Sequence, residues 1–450
     1  MAGEEPSKSR YPEGMRQAWR FAFFNGLSYQ IVTGSPMVLY AKSLHASATV
    51  LGIIAGMMPL LVIFQMPAAQ HIPRFGPKRF FIGGWGIRTL FTFGLAVVPL
   101  LAGFLDIPTR LVLVLALLFG FNFVRGVTSS SWLPWITVLV PENLRGRYLA
   151  GDAAMSNLGC FLTVLVCGAT LGATPQGWQF AAAFAFSAVM GLISLVFLKR
   201  MPDAPVTENP AGGHGPVPWR EMLRHPPFRK LLGMAVAWAV AFGGVTAFTV
   251  AFLKTETGLP EGKILLMTSV FFLGGLSSLF FLGHRLDHLG SKPVLKFSMA
   301  IWLVLMAAWT ALAGGALTPA LALVMALQFL MGLFWALVNS ANSRLAMAVV
   351  PAMGRNHFFA LYSVFANVTL GVAPIGWGLL IDAVGHRHWE FLGLDWNRYT
   401  LFFAASALMF AVTLGLAQRL EEPRATSLEE LLTEIFVQSP QRLWLWLWAE

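Results

Sequence analysis

The sequence predicts an all-α membrane protein of twelve transmembrane helices in two pseudo-symmetric six-helix bundles. Three observations lead there. Of the 450 residues, 56% are hydrophobic and only 12% charged, whereas a chain with a water-facing surface carries about a quarter charged. Twelve apolar segments follow one another, each near the roughly 20 residues that cross about 30 Å of hydrocarbon. They form two groups of six that repeat one another at a nearly constant offset.

The first group occupies 18–41, 49–71, 80–104, 109–140, 148–173 and 178–198; the second occupies 228–253, 263–283, 293–315, 318–350, 358–381 and 399–419. Met1 to Arg20 is polar and mixed in charge, and no small-residue cleavage pattern follows the first apolar stretch. No removable signal peptide is expected. The organisation is therefore a tail at 1–17, a six-helix bundle at 18–200, a linker at 201–227, a second bundle at 228–420 and a second tail at 421–450. The linker is rich in Pro, Gly and charge, and its end, Trp219-Arg-Glu-Met-Leu-Arg, suits a short interfacial helix. In the last tail, Ser427-Leu-Glu-Glu430 has a capping-box pattern and opens an amphipathic stretch ending Leu443-Trp-Leu-Trp-Leu-Trp448. Tryptophan favours the headgroup level, so this stretch is expected to lie on the membrane face.

The net charge of +10 invites comparison with nucleic-acid binders, but the Lys and Arg sit in short breaks between apolar runs and form no stripe. Lipid topology accounts for that placement, and no nucleic acid is expected as a partner. Alternate breaks carry 23 Lys and Arg on one side against 6 on the other, with Arg88 and Arg125 left inside apolar segments. Basic residues collect in the cytoplasm, so both termini are expected there.

The repeat is visible residue by residue. Lys42 after the first segment matches Lys254 after the seventh, and Gly76 after the second matches Gly290 after the eighth. Val140-Pro141 and Arg145 match Val350-Pro351 and Arg355, and Asn157 matches Asn367. Constant spacing at equivalent helices indicates a duplicated six-helix unit.

After the eighth segment comes Gly283-His-Arg-Leu-Asp287-His-Leu-Gly290-Ser-Lys292-Pro. This resembles the signature loop of the major facilitator superfamily, Gly-x-x-x-Asp-Arg-x-Gly-Arg-Lys, in its expected place between the second and third helices of a half. Gly290 permits a tight reversal, Asp287 can accept from a helix N-terminus or an Arg, and Lys292 stays at a basic surface. In the first half the same place reads Ala69-Gln-His-Ile-Pro73-Arg74-Phe-Gly76-Pro-Lys78-Arg79. The glycine and the basic residues match, but Pro73 stands for the Asp and Ala69 for the first Gly, so the acidic latch is missing there. Leu139 to Arg147, with Arg145, and Gly371 to Asp382 also resemble generic facilitator patterns. None of these motifs names a substrate. The resemblance implies alternating access: two halves rock around a site near the membrane midplane, and Arg74, Gly76, Lys78, Arg145, Gly283, Asp287, Gly290, Lys292 and Arg355 belong to its gating loops.

Polar groups inside lipid are costly and mark candidate sites. Arg125 lies mid-way along the fourth segment, which lines the cavity in the resembled family. Three roles are open to it: holding an anionic group of the cargo, pairing with a carboxylate, or fixing helix ends. Arg88 on the third segment is expected to snorkel or make a structural hydrogen bond. Asn25, Tyr29, Gln30, Thr33, Asn122, Asn157, Asn339, Asn342 and Asn367 offer neutral donors and acceptors to a cavity, or serve as interhelical glue. Trp132, Trp135, Trp238 and Trp335 suit either a ring-bearing ligand or packing. Asp152 is the one acid within a segment and the candidate for ion coupling.

No cofactor or metal is expected. Cys160 and Cys167 are separated by about 10 Å of helical rise and cannot bridge, and His386 and His388 read as surface histidines. With no paired carboxylates, no His-Glu-x-x-His and no nucleophile beside a base in the segments, an enzyme is not expected. The reading is a secondary transporter of a small polar or anionic organic solute, monomeric, in a plasma membrane of bacterial inner-membrane type. The rivals are an exporter or flippase of an amphipathic lipid or drug, and a non-transporting sensor on the same fold.

Overall fold

The computed structural model describes residues 12–141, 144–203, 223–282, 290–349, 355–420 and 422. Gly283, Asp287, most of the linker with Trp219, and the 427–448 stretch lie outside the described residues, as does the side chain of Arg355.

The first span is two helices, α1 (Glu13–Thr33) and α2 (Ser35–Ser43), interrupted at Gly34. The second is α3 (Ala48–Leu61), continued through a 3-10 turn by α4 (Gln65–Ala69), with α5 (Ile72–Phe75) leading into the reversal. The third is α6 (Pro77–Val97). The fourth, expected as one run, is α7 (Ile107–Ser129) and α8 (Trp132–Leu139), broken at Ser130–Ser131. Side-chain hydroxyls explain the break: Thr128, Ser129, Ser130 and Ser131 each bond a backbone carbonyl three or four residues back and compete with the helical ladder. The bundle closes with α9 (Arg145–Leu171) and α10 (Gly177–Arg200).

The second half runs α11 (Pro226–Phe242) and α12 (Val245–Thr255), then α13 (Glu261–Leu282), α14 (Ser291–Ala313), α15 (Leu321–Val349) and α16 (Arg355–Val384). A two-stranded hairpin, β1 (Trp389–Phe391) and β2 (Leu394–Trp396), precedes α17 (Arg398–Gln418). Eleven described segments are long and apolar enough to cross a bilayer on their own; the first span, with Arg16 and Arg20 near its start, completes twelve.

The two halves use equivalent pairings. α1 packs on α9 and α10, as α11 packs on α16 and α17; α6 packs on α7 and α10, as α14 packs on α15 and α17. The breaks repeat too, since Gly34 and Gly244 interrupt the first span of each half. Gly76 (φ 77°) and Gly290 (φ 79°) both stand at the N-cap of the third span of their half. That extended backbone at positive φ is open to glycine and strained for other residues, which is why both copies of the loop keep it.

The halves meet along two seams, α3 against α16 and α9 against α13. In the first, a Cβ on Gly52 would collide with the Pro374 carbonyl and one on Gly56 with the Gly371 carbonyl, so these backbones touch without side chains between them. In the second, the Gly262 N–H donates to the Gly172 carbonyl at 2.7 Å.

Burial is unequal along the membrane normal. One large apolar cluster joins both halves, including Leu39, Leu51, Leu171, Val245, Leu253 and Ile381. Toward the face that carries the start of α1 and the end of α17, the clusters separate. Phe81, Trp85, Trp135 and Tyr148 stay within the first half, and Phe228, Leu232, Phe358 and Leu361 within the second. Among the described residues, the first-half members of the shared cluster lie toward the face away from the termini, and it is there that apolar packing joins the halves. Apolar burial is non-directional and scales with area, so the shared cluster marks where the halves are held most firmly.

Candidate functional site

In the first half, Asn25 and Tyr29 on α1, Arg88 and Trp85 on α6, and Arg125 on α7 form a set linked by hydrogen bonds, ring contact or electrostatics. Asn25 and Tyr29 are one helical turn apart and share a face. The neighbouring faces of α1 are taken up. Gly26 presses on the Ser156 carbonyl of α9, and Ser187 Oγ of α10 donates to the Ser28 carbonyl at 2.6 Å.

Arg88 is 1% exposed and does not snorkel. Its Nη2 donates to Asn25 Oδ1 at 2.8 Å, and its guanidinium carbon lies 4.1 Å from the Trp85 ring centre and 5.0 Å from that of Phe121. Two aromatic faces thus do the work of a counter-charge. Trp85 Nε1 also donates to Asn25 Oδ1, at 3.3 Å. Of the two defaults for Arg88, the structural hydrogen bond is the one present.

Arg125 is half-buried, and among the described residues its guanidinium makes no hydrogen bond or ion pair. It lies within electrostatic reach of Arg88 and of Tyr29. A carboxylate partner, one of its three open roles, is absent among the described residues. Asp152 is occupied elsewhere, accepting from Tyr148 Oη at 3.4 Å.

The other candidates divide. Tyr29 Oη meets the Cys160 thiol at 3.3 Å. Gln30 is buried with its amide laid over Gly34, and Thr33 donates back to the Tyr29 carbonyl. Asn122 donates to the Leu118 carbonyl, while its Oδ1 is buried without a partner among the described residues. Asn157 donates to the Ala153 carbonyl and packs against Gly275 of α13, so it belongs to a seam. In the second half Asn342 donates to Tyr362 Oη, a partner the sequence reading did not single out. Asn339 is exposed and bonds only the Trp335 carbonyl of its own helix. Asn367 bonds Ser363 and lines a shallow groove between the second span and α16. The four tryptophans are packing groups: Trp132 and Trp135 join Phe21 and Phe81, Trp238 meets Trp302 and Phe410, and Trp335 meets Phe271.

Among the gating residues, Lys78 Nζ donates to the Met201 carbonyl at 2.7 Å, tying the loop to the end of α10. Arg145 Nη2 donates to the Thr137 carbonyl at 3.2 Å, and Arg74 is exposed. The backbone N–H groups of Ser291 and Lys292 donate to the Glu422 carboxylate at 2.7–3.0 Å, which caps α14. On the face away from the termini, Asp382 at the end of α16 accepts from the Ala48 and Thr49 N–H groups at 2.9 and 2.8 Å and caps α3 of the other half. Lys254–Glu261 (2.6 Å) and Arg398–Glu256 (2.8 Å) lie at the same end of the molecule. Asp382 was legible as the end of the Gly371 to Asp382 pattern and Glu422 only as an acid next to an apolar run; the partners of both are far away in sequence. His388 pairs with Asp395 at 3.0 Å, and Cys160 and Cys167 are both buried and free.

A duplicated twelve-span bundle whose halves share apolar packing toward one face, with polar groups unpaired among the described residues between its helices, is the architecture of a membrane carrier. The family model described as Major Facilitator Superfamily matches residues 19–265 and 243–449. A relative named "Uncharacterized MFS-type transporter YhhS" from Salmonella typhimurium is 26% identical over 413 residues, covering 90% of this chain and 93% of its own. The protein of that name from Salmonella enteritidis matches to the same extent. Among solved structures, the nucleoside transporter NupG superposes with a TM-score of 0.70 at 12% identity, over 91% of this chain and 100% of its own. The D-xylose-proton symporter gives 0.67 at 12% identity, over 92% and 99%. A bacterial homolog to human lysosomal transporter Spinster, in an inward-facing and occupied conformation, gives 0.63 at 14% identity, over 94% and 100%. The chain belongs to the Major Facilitator Superfamily. It is a multi-pass membrane protein that performs secondary transport of a small molecule and is not an enzyme.

Proposed function

We propose that the cargo is a small polar or anionic organic solute, carried by alternating access through a cleft that opens on the face bearing the termini. The observation behind this reading is the Arg125 guanidinium, half-buried at mid-span and without a carboxylate among the described residues. A desolvated cation is expensive, and an anionic group of the cargo offsets that cost when it binds. The basic residues of the alternate breaks support a plasma membrane of bacterial inner-membrane type with both termini cytoplasmic, so that cleft opens inward. A monomer suffices for this cycle.

The test is a melting-temperature screen of the purified protein against a metabolite panel, followed by uptake of each stabilising solute into proteoliposomes. Arg125→Ala is expected to lower uptake of an anionic hit by at least about tenfold, the worth of one charge-assisted hydrogen bond. Unchanged uptake refutes the role given to Arg125.

A second reading draws on the groove between the second span and α16, lined by Val62, Ile63, Met66, Val364 and Val368 with Gln65, Ser363 and Asn367. Its mostly apolar wall suits lateral passage of an amphipathic lipid or drug. Uptake that follows the lipid-phase concentration of the solute, and is indifferent to Arg125, favours this alternative.

A further inference from the structure

We infer that Asn25 is a second donor to the anionic cargo, and that Arg88 and Trp85 are positioning residues that turn its amide to that task. The inference rests on the anionic reading of the cleft and deepens it by naming the group that works beside Arg125.

A side-chain amide has an accepting end and a donating end. Asn25 Oδ1 receives Arg88 Nη2 at 2.8 Å and Trp85 Nε1 at 3.3 Å. A guanidinium and an indole N–H can only donate, so the amide cannot be reversed without setting donors against donors. Its Nδ2 must point the other way. There it makes no hydrogen bond among the described residues, and the residue remains half-exposed. Both Arg88, which holds Oδ1, and Tyr29, one turn on from Asn25, lie within electrostatic reach of Arg125. On this proposal one space receives both the Arg125 cation and the amide donor that Arg88 and Trp85 fix in orientation.

Charge strengthens the arrangement. A cation bonded to Oδ1 polarises the amide and makes its N–H groups better donors. Arg88 rests on Trp85 and Phe121 in place of a carboxylate, and Asp152 is bonded to Tyr148. Two guanidiniums therefore repel one another across a poorly solvated space until an anion enters. The matching ligand has one acidic head with two acceptor oxygens, one for Arg125 and one for Asn25 Nδ2. Carboxylates and phosphate monoesters share that chemistry.

The experiment measures the melting temperature of the full-length protein during titration with benzoate, phenyl phosphate and the neutral benzamide and benzyl alcohol. Either anion is expected to stabilise the wild type and the neutral pair not, and the stronger anion tells carboxylate from phosphate. Asn25→Asp keeps the shape and the bonds to Arg88 and Trp85 but puts an acceptor where Nδ2 stood. It is expected to fold with an equal or higher melting temperature in buffer while needing about tenfold more anion. Arg88→Met is expected to weaken anion binding several-fold and Arg88→Lys to restore most of it, a pattern that simple helix packing does not produce. Equal titrations in wild type and Asn25→Asp overturn the role of Asn25 and leave the anionic reading standing. Stabilisation by the neutral compounds as strong as by the anions, or none by either anion, overturns both.

Discussion

Asp382 illustrates how one side chain can join two halves that share no covalent neighbour. Its carboxylate takes both the Ala48 and the Thr49 N–H of α3, where the helix end carries partial positive charge and unsatisfied donors. The residue is exposed, so the contact is worth about 1 kcal/mol. Asp382→Asn keeps one acceptor and loses the charge. It is expected to shift the equilibrium several-fold toward opening of the face away from the termini, read as a longer distance between spin labels on the facing ends of α3 and α16. An unchanged distance distribution counts against a latch. Arg88 carries a different lesson at the same scale. Snorkelling or a structural hydrogen bond was expected of it; the hydrogen bond to Asn25 is present, and the rings of Trp85 and Phe121 add a partner for the charge inside the bundle. Sequence spacing within one helix contains no sign of that cage, because its members come from two spans.

At the scale of elements, the equivalence of the two halves is written in their turns. Gly76 and Gly290 hold positive φ at the same structural place, and a Cβ on Gly76 would meet no atom within 4 Å. Gly76→Ala therefore isolates the backbone strain, and a loss of about 1 to 3 kcal/mol is expected, measured as a lower melting temperature. Gly83 is an internal control: it too has nothing within 4 Å, but it sits inside α6. There Gly→Ala is expected to stabilise by up to about 1 kcal/mol through helix propensity. Equal effects at the two sites would falsify the assignment of strain to the turn. The apolar periodicity located every span but missed the interruptions at Gly34, Ser130–Ser131 and Gly243–Gly244, since a hydropathy run continues across a break in the hydrogen-bond ladder. The hydroxyl run Thr128 to Ser131 was the available signal for the second of these.

For the whole molecule, the pattern of clusters describes one stage of a cycle. The shared core and the Asp382 cap join the halves at one face, while among the described residues the two smaller cores each stay within one half. Repeat symmetry makes a further demand: the loops after the second and eighth spans must lie on one side of the bilayer. Single cysteines at Arg74 and Lys292, in a chain whose native Cys160 and Cys167 are buried, are expected to react with a membrane-impermeant reagent from the same side, the side that also exposes the termini. Labelling from opposite sides would contradict both the orientation and the duplication.

The sequence by itself determined the solvent, the number of spans, the duplication and the family, because each follows from hydropathy, basic residues and turn glycines that act locally or repeat at fixed distance. It also picked out Arg125 and Asn25 as polar groups placed where lipid makes them costly. Only the tertiary structure decided which of the polar residues meet. It turned Asn339 outward, sent Asn157 into a seam, joined Asn342 to Tyr362, and bonded the Asn25 amide oxygen to Arg88 and Trp85. The physical reason is that a hydrogen bond or a cation on a ring depends on distances of a few ångströms between helices, and those distances are set by how the spans pack.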